Sequence, residues 1–491
     1  MSASLIAERF SAVCRDRRHA IAVRNTATGE AITFADLAAA STSMAADLRR
    51  AGVGPGGVVV SLVGNRPLFF PLVVACMEIG AALVPLGDAT DAEAVALVEQ
   101  SAARAIVADR PLPLPAEATP FAPDAVLLVL PDGGRAHAPY GERVVLKLTS
   151  GSTDVPRAAV AAEAHLVNDG RHIVEAMGIG AGDLNIAVIP LSHSYGLGNL
   201  VMPLLWQGTP VVLGPPFNPA RFLRDVSETG ATVVPGVPFM YDRLRALDGL
   251  DRLPASLRLL VTAGARVDPD TVAWFHRGVD RKIHSFYGSS ETGGIAYDDS
   301  EELADPLHVG RPMPETSVTI DDGHSGRVFV SGNAVATRYA RHTDGDGGAA
   351  FERGGFLTGD LGHFDDRGRL VLTGRVTPLV NVAGRKVDPG EVERRLIQVP
   401  GIADARVVGT ASDARGQEVV AFVVRTDAAL TPLAIRQRCA ETLSPHKIPR
   451  RFVFLDRLPV DARGKVDRRL LIRLAAIESD DVHTTDAAGR E

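Results

Sequence analysis

Ten consecutive residues, Leu148-Thr149-Ser150-Gly151-Ser152-Thr153-Asp154-Val155-Pro156-Arg157, carry the densest chemistry in the chain. Four hydroxyl side chains surround a glycine, and a proline and a cation follow. The run Val144 to Leu148 leads in as a strand. A strand that opens into a Ser/Thr/Gly loop presents backbone N–H groups and hydroxyls, which suit phosphate oxygens. Arg157 adds a planar, charge-assisted donor fork. The same composition also makes ordinary surface turns. No Gly-Lys-Ser/Thr follows at the spacing of a Walker A loop.

Three further segments narrow the reading. They are Ser285-Phe286-Tyr287-Gly288-Ser289-Ser290-Glu291-Thr292-Gly293, then Phe356-Leu357-Thr358-Gly359-Asp360 with Gly374-Arg375 after it, then Leu458-Pro459-Val460-Asp461-Ala462-Arg463-Gly464-Lys465-Val466-Asp467. In this order, with the first loop ahead of them, they resemble the adenylate-forming enzymes: acyl- and aryl-CoA synthetases, adenylation domains and luciferases. The resemblance runs from about Phe34 to about Leu470.

The resemblance assigns roles to particular residues. Thr149, Ser150, Gly151, Ser152, Thr153 and Arg157 become triphosphate ligands. Tyr287, Gly288, Ser289 and Ser290 form the nucleotide floor, with the Tyr287 ring against adenine. Glu291 becomes the Mg2+ ligand, as a hard cation bridged to phosphates calls for carboxylate oxygen. Thr292 meets the α-phosphate. Asp360 takes the ribose hydroxyls, since a carboxylate accepts from two vicinal donors at once, and Arg375 is its partner. Lys465 is the mobile cation that neutralises charge developing on the α-phosphate. His193, in Pro190-Leu191-Ser192-His193-Ser194-Tyr195-Gly196, stands beside the substrate carboxylate. Tyr195, Phe239, Gly264, Ala265 and Gly288 line the acid pocket. Gly384, Arg385 and Lys386 resemble the loop along a thiol tunnel, and Thr377 falls at the hinge.

Departures from the family pattern are equally specific. Asp154 stands where glycine is usual and Arg157-Ala158 where Lys-Gly is usual. Ser290 replaces threonine, Arg266 follows Gly264-Ala265 in place of proline, and Thr377-Pro378 replaces an Asp or Lys hinge residue. Proline fixes φ and stiffens that segment.

The elements that must hold these residues alternate between strand and helix. An Ala-rich helix starts at Phe34 and runs to about Ala51, and Val58 to Leu62 is a buried strand. Leu68 to Gly87 is the longest apolar run, but Glu78 and the prolines and glycines around it favour a buried helix feeding a strand over a membrane span. Arg110 to Pro123 is Pro-rich and reads as irregular surface loop. Alternating β and α pieces predict an α/β fold of parallel sheets flanked by helices. After Gly310 short strands suggest a small barrel-like unit, and Arg341 to Gly355, rich in Gly and Asp, reads as a mobile loop. The expected division is a large N-terminal adenylation domain, residues 1–374, and a small mobile α+β domain, residues 375–491.

Bulk properties bound the function. A length of 491 residues implies more than one domain. A net charge of −7 argues against a nucleic-acid partner. Cys14, Cys76 and Cys439 lie far apart and fit neither a metal motif nor a disulfide framework, so a reducing cytoplasm is expected. Five lysines stand beside 47 arginines, which makes Lys465 a departure from the chain's own habit.

The expected activity is ATP- and Mg2+-dependent adenylation of a small-molecule carboxylic acid, releasing pyrophosphate. The acyl group would then pass to CoA or a carrier-protein phosphopantetheine thiol, as in an acyl-CoA synthetase. Two other second steps remain open: an amide-forming ligase, and a diazotase joining nitrite to an aromatic amine. A third reading is a catalytically inactive binding module of the same fold.

Overall fold

The computed structural model describes residues 3–87, 89–130, 139–149, 157–247, 249–302, 308–321, 326–340, 349–375, 379–412, 416–459, 466 and 470–476. Ser150, Gly151, Ser152, Thr153, Asp154, Thr377 and Lys465 lie outside the described residues, as does the Arg375 side chain. The chain divides into two compact units, the first spanning Met1–Thr149 and Arg157–Thr377, the second taking in Pro378–Glu491.

Two mixed sheets build the first unit. One runs Glu117–Ala122, Ala125–Val129, Ala103–Ala108, Val58–Leu62, Ala82–Pro85, Val144–Thr149, Arg157–Ala162 in spatial order. Its central strands pair in parallel, and both outer pairs are antiparallel. The second orders Arg311–Pro312, Gly293–Tyr297, Ile283–Ser289, Leu259–Thr262, Val233–Gly236, Asn185–Ala187, Val211–Leu213, Ile21–Asn25 and Ala31–Thr33. The inner strands read as continuous apolar runs because helices cover both faces. Val58–Leu62 and Ala82–Pro85 are buried along their whole length.

The helix Phe69–Glu78 is buried except for Glu78, which reaches out to Arg49 at 3.0 Å. That outcome matches the reading of this stretch as core, and among the described residues no helix is long and apolar enough to cross a membrane. The helix Phe34–Arg50 begins at a capping box in which Thr33 and Asp36 satisfy each other's backbone donors.

A smaller sheet of the first unit holds Thr316–Ile320, Gly326–Gly332, Gly355–Phe364, Ala350–Glu352 and Leu370–Arg375, all antiparallel. The second unit packs helices Pro389–Ile397 and Pro432–Ala440 on an antiparallel sheet that gains one parallel strand, Arg451–Phe454. It encloses its own apolar core around Val407, Ala421, Val423 and Ile435.

Two segments differ from the sequence reading. Glu117–Ala122, within the supposed irregular loop, is an edge strand paired with Ala125–Val129. An edge position tolerates Pro120 because only one side of the strand calls on backbone donors. Ala350–Glu352, inside the supposed mobile loop, pairs with Gly355–Phe364, held by Phe351 against Phe356 at 4.8 Å between ring centroids.

One buried ion pair joins the two large sheets. Lys147, on the strand Val144–Thr149, meets Asp169 on the helix Glu163–Ala176 at 3.4 Å, with side chains 1% and 4% exposed. The other Asp169 oxygen accepts from Gly294 N at 2.9 Å. His165, one turn earlier, caps its helix by accepting from Ala162 N at 3.1 Å. Burial lowers the His165 pKa, and the Lys147 charge lowers it further, which keeps the ring neutral as that acceptor.

Removing one partner of such a pair leaves a buried charge uncompensated, at a cost of about 3–5 kcal/mol. Lys147→Met is therefore expected to lower the unfolding free energy by roughly 3 kcal/mol. The double variant Lys147→Met/Asp169→Asn should be more stable than the sum of the single losses, which a denaturation double-mutant cycle measures. Additive losses would show that the two groups are not coupled.

Candidate active site

The strands Val144–Thr149 and Arg157–Ala162 pair antiparallel, with Thr149 opposite Arg157, so the two ends of the hydroxyl-rich segment are fixed side by side. The hairpin Ile283–Ser289 and Gly293–Tyr297 carries the second segment and shifts register between Tyr287 and Gly288. A side chain on Gly288 would put its Cβ 2.6 Å from Gly293 O on the facing strand. Gly293 has φ +71°, and a Cβ there would sit 2.4 Å from Asp169 Oδ1. Glycine at both positions follows from this close approach.

A hydroxyl relay joins three of the motif segments. Ser194 Oγ donates to Ser290 Oγ at 2.9 Å, and Ser290 Oγ donates to Leu148 O at 3.0 Å. The residue that departs from threonine thus connects the His193 turn, the hairpin and the phosphate-loop strand. Tyr287 Oη donates to Asp360 Oδ2 at 2.7 Å, which brings the fourth segment to the same hairpin. Asp360 lies opposite Arg375 in the ladder of Gly355–Phe364 with Leu370–Arg375. Its position is fixed further by its own N–H, which donates to Thr358 Oγ1 at 3.1 Å.

The end of the hairpin bears Ser289, Glu291 and Thr292. Thr292 is buried, and its hydroxyl lies 3.0 Å from both Ser289 Oγ and Gly293 O. Glu291 is half-buried, and Oε1 accepts from Tyr339 Oη at 2.8 Å. Among the described residues its Oε2 has no hydrogen-bond partner, which leaves one anionic oxygen available beside the phosphate-loop strands. A hard divalent cation fits such an oxygen when phosphates supply most of its shell. No group of three or more His, Cys, Asp or Glu among the described residues is arranged as a metal cage.

His193 is exposed at the start of a helical run, Ser194 to Gln207, whose middle turn, Leu197–Val201, is π-helical. Turns of that kind occur often at functional sites. Tyr195 stacks on Phe286 with centroids 5.7 Å apart, and its hydroxyl reaches Val261 O at 3.4 Å. Tyr241 donates to the same carbonyl at 2.8 Å. Burial, then the neighbouring Tyr241 and Tyr297, raises the Tyr195 pKa well above the ordinary phenol value, so it is a neutral donor. Phe239 is half-buried in the first turn of helix Pro238–Arg245, while Gly264, with φ +88°, Ala265 and Arg266 are exposed after strand Leu259–Thr262.

In the second unit, Ala383 and Gly384 form a two-residue turn with φ +50° and +84° between strands Val380–Val382 and Arg385–Val387. Arg385 and Lys386 follow it, both half-buried.

A family model for the AMP-binding enzymes matches residues 10–340, and one for the AMP-binding enzyme C-terminal domain matches residues 391–465. The chain belongs to the AMP-binding enzymes. This AMP-binding enzyme is similar to the sulfoacetate–CoA ligase of Cupriavidus necator, at 27% identity over 484 residues covering 91% of this chain and 93% of that one. It is 30% identical to the 2-succinylbenzoate–CoA ligase of Geobacillus kaustophilus over 465 residues, covering 90% and 93%. Among solved structures it resembles the amide bond synthetase McbA of Marinactinospora thermotolerans, with a TM-score of 0.77, 26% identity and coverage of 96% and 99%.

Sequence reasoning missed Asp169, Ser194, Tyr241 and Tyr339. Lys147 carried a usable signal, because a charge in an apolar strand demands a buried partner. Nothing local marks Tyr339, which lies 48 residues from Glu291.

Ser290→Ala removes both bonds of the relay and leaves Leu148 O without its donor. The loss is about 1–3 kcal/mol for such a group. Thermal unfolding should fall accordingly, and Ser290→Thr should restore it. An unchanged melting temperature in Ser290→Ala would contradict the relay.

Proposed function

We propose that this chain is an ATP-dependent, AMP-forming acid–thiol ligase. It joins a carboxylate to the α-phosphate of ATP, releases pyrophosphate, and passes the acyl group to CoA. The observation that carries this reading is the convergence on one hairpin of the phosphate-loop strand, the His193 turn and Asp360, through Ser290 and Tyr287. The relatives' CoA ligase activities support the choice of thiol as acceptor.

The chemical problem is to hold several anions together while a carboxylate oxygen attacks phosphorus. Thr149, Ser150, Gly151, Ser152, Thr153 and Arg157 bind the β- and γ-phosphates through hydroxyls, N–H groups and one cation. Tyr287 and Gly288, with Ser289 and Ser290 behind them, form the floor under adenine. Asp360, with Arg375 across the ladder, accepts from the ribose hydroxyls. Thr292 orders the hairpin end at the α-phosphate. His193 orients the attacking carboxylate, and Lys465 neutralises the charge that builds on the pentavalent phosphorus. Mg2+ would be held by Glu291, and when bound it withdraws charge from the phosphate oxygens.

The acid lies between Tyr195 and the edge formed by Phe239, Gly264, Ala265 and Gly288. For thioester formation the domain of residues 375–491 turns about Thr377, and the Gly384 turn admits the thiol with Arg385 and Lys386 beside it. The acceptor is CoA or a carrier-protein phosphopantetheine.

A second reading keeps the first step and changes the acceptor to an amine. The likeness to the amide bond synthetase favours it.

The test is a panel of alkyl, aryl and dicarboxylic acids with ATP and Mg2+, with and without CoA, followed by pyrophosphate and thioester. At least one acid should release pyrophosphate, and CoA should convert the product to a thioester. Lys465→Ala should slow pyrophosphate release by about 10²–10³-fold, the size of a lost transition-state donor. Pyrophosphate release followed by amide but never thioester would select the amine acceptor. No pyrophosphate from any acid would refute the activity.

A further inference from the structure

We propose that Tyr339 is a positioning residue for the phosphate end of this site: its hydroxyl fixes Glu291 and its ring fixes Arg157. The proposal rests on the reading of Glu291 as the metal ligand and adds to it a residue on a separate chain segment.

The geometry is bifunctional. Tyr339 Oη donates to Glu291 Oε1 at 2.8 Å, and the Arg157 guanidinium carbon lies 4.8 Å from the centroid of the Tyr339 ring. One side chain therefore touches the carboxylate at the hairpin tip and the cation that closes the phosphate loop. The backbone of the hairpin is tied to the same segment, since Ala336 N donates to Glu291 O at 2.8 Å.

Tyr339 is itself immobilised. Its backbone bridges Ala159 on the strand Arg157–Ala162, Ala340 N donates to Ala158 O at 2.8 Å, and Val160 N donates to Arg338 O at 2.9 Å. Its ring meets Phe351 edge-on at 5.0 Å and Phe356 at 6.3 Å. These contacts hold the phenol toward the Glu291 carboxylate.

The chemistry of the phenol suits the task. A glutamate loses rotamer freedom when it captures a cation. A neutral donor on Oε1 takes up that loss in advance, without cancelling the charge as a guanidinium partner would, and it leaves Oε2 open. The planar guanidinium of Arg157 stacks on an aromatic face, which a lysine ammonium does less well. Tyr339 therefore also accounts for arginine serving in a loop position where the family pattern has lysine.

The experiment measures binding, not turnover. A nonhydrolysable α,β-methylene ATP is titrated calorimetrically into wild type, Tyr339→Phe, Tyr339→Leu, Glu291→Gln and the Tyr339→Phe/Glu291→Gln double variant. Each is measured in EDTA and across a range of Mg2+, with thermal unfolding in parallel. Tyr339→Phe keeps the ring, so its affinity in EDTA should stay within about twofold of wild type, and the Mg2+ concentration giving half the affinity gain should rise about 10-fold. The double variant should shift no further than Glu291→Gln. Tyr339→Leu should also weaken binding in EDTA, by about 3–10-fold. Should Tyr339→Phe fail to fold, Tyr339→Leu carries the Mg2+ comparison, since it also lacks the donor, and its half-gain Mg2+ concentration should rise about 10-fold as well. Wild-type Mg2+ dependence in a folded Tyr339→Phe, with Glu291→Gln shifted, would overturn the role of Tyr339 alone. Wild-type Mg2+ dependence in Glu291→Gln would overturn the metal-ligand reading on which it rests.

Discussion

The Asp169 carboxylate is the constraint on which the site depends. One oxygen faces Lys147 on the strand Val144–Thr149, and the other accepts from Gly294 on the hairpin of Ile283–Ser289 with Gly293–Tyr297. Two strands from different sheets are thus referenced to one helix. The contact is short because Gly293 has no side chain to hold the hairpin off. A buried ion pair adds little net stability against an apolar pair of the same shape, but it tolerates no other partner. Its value here is registry. It fixes the height of the hairpin against the strand Val144–Thr149, and the Ser194–Ser290–Leu148 relay then fixes its lateral position.

Function follows from that registry, because adenylation is a problem of placing charge. In the function we propose, Tyr287 and Asp360 set the nucleoside end, Arg157 and Glu291 the phosphate end, and Tyr195, stacked on Phe286, the acid end. Each pair comes from segments far apart in sequence and is joined at the hairpin. An error of an ångström in the hairpin would reach all three ends together, which is costly for a reaction that relies on orientation.

Much of this was legible in the sequence, and the reasons differ by residue. The α/β class followed from apolar runs such as Val58 to Leu62 alternating with helical stretches such as Phe34 to Ala51, signals that are local and periodic. The family was legible because its motif segments preserve order along the chain, and the match of the AMP-binding family model bears it out. What escaped were contacts that span the sequence. Tyr339 meets Glu291 only because Arg338 and Ala340 pair with the strand Arg157–Ala162, and no spacing rule encodes that. Glu117–Ala122 was hidden by its proline, since an edge strand tolerates what a central one does not. Ser290, a replacement of threonine in the sequence, is the centre of a hydrogen-bond relay.

In the reaction we propose, a carboxylate oxygen attacks the α-phosphorus of ATP. Isotope transfer measures this directly. With an acid substrate labelled with ¹⁸O in its carboxylate, the ATP reaction is run to completion and the AMP is examined by ³¹P NMR for the isotope shift. Attack at the α-phosphate places one acid-derived ¹⁸O on each AMP formed. Unlabelled AMP, or ADP in its place, would show that the carboxylate does not attack there.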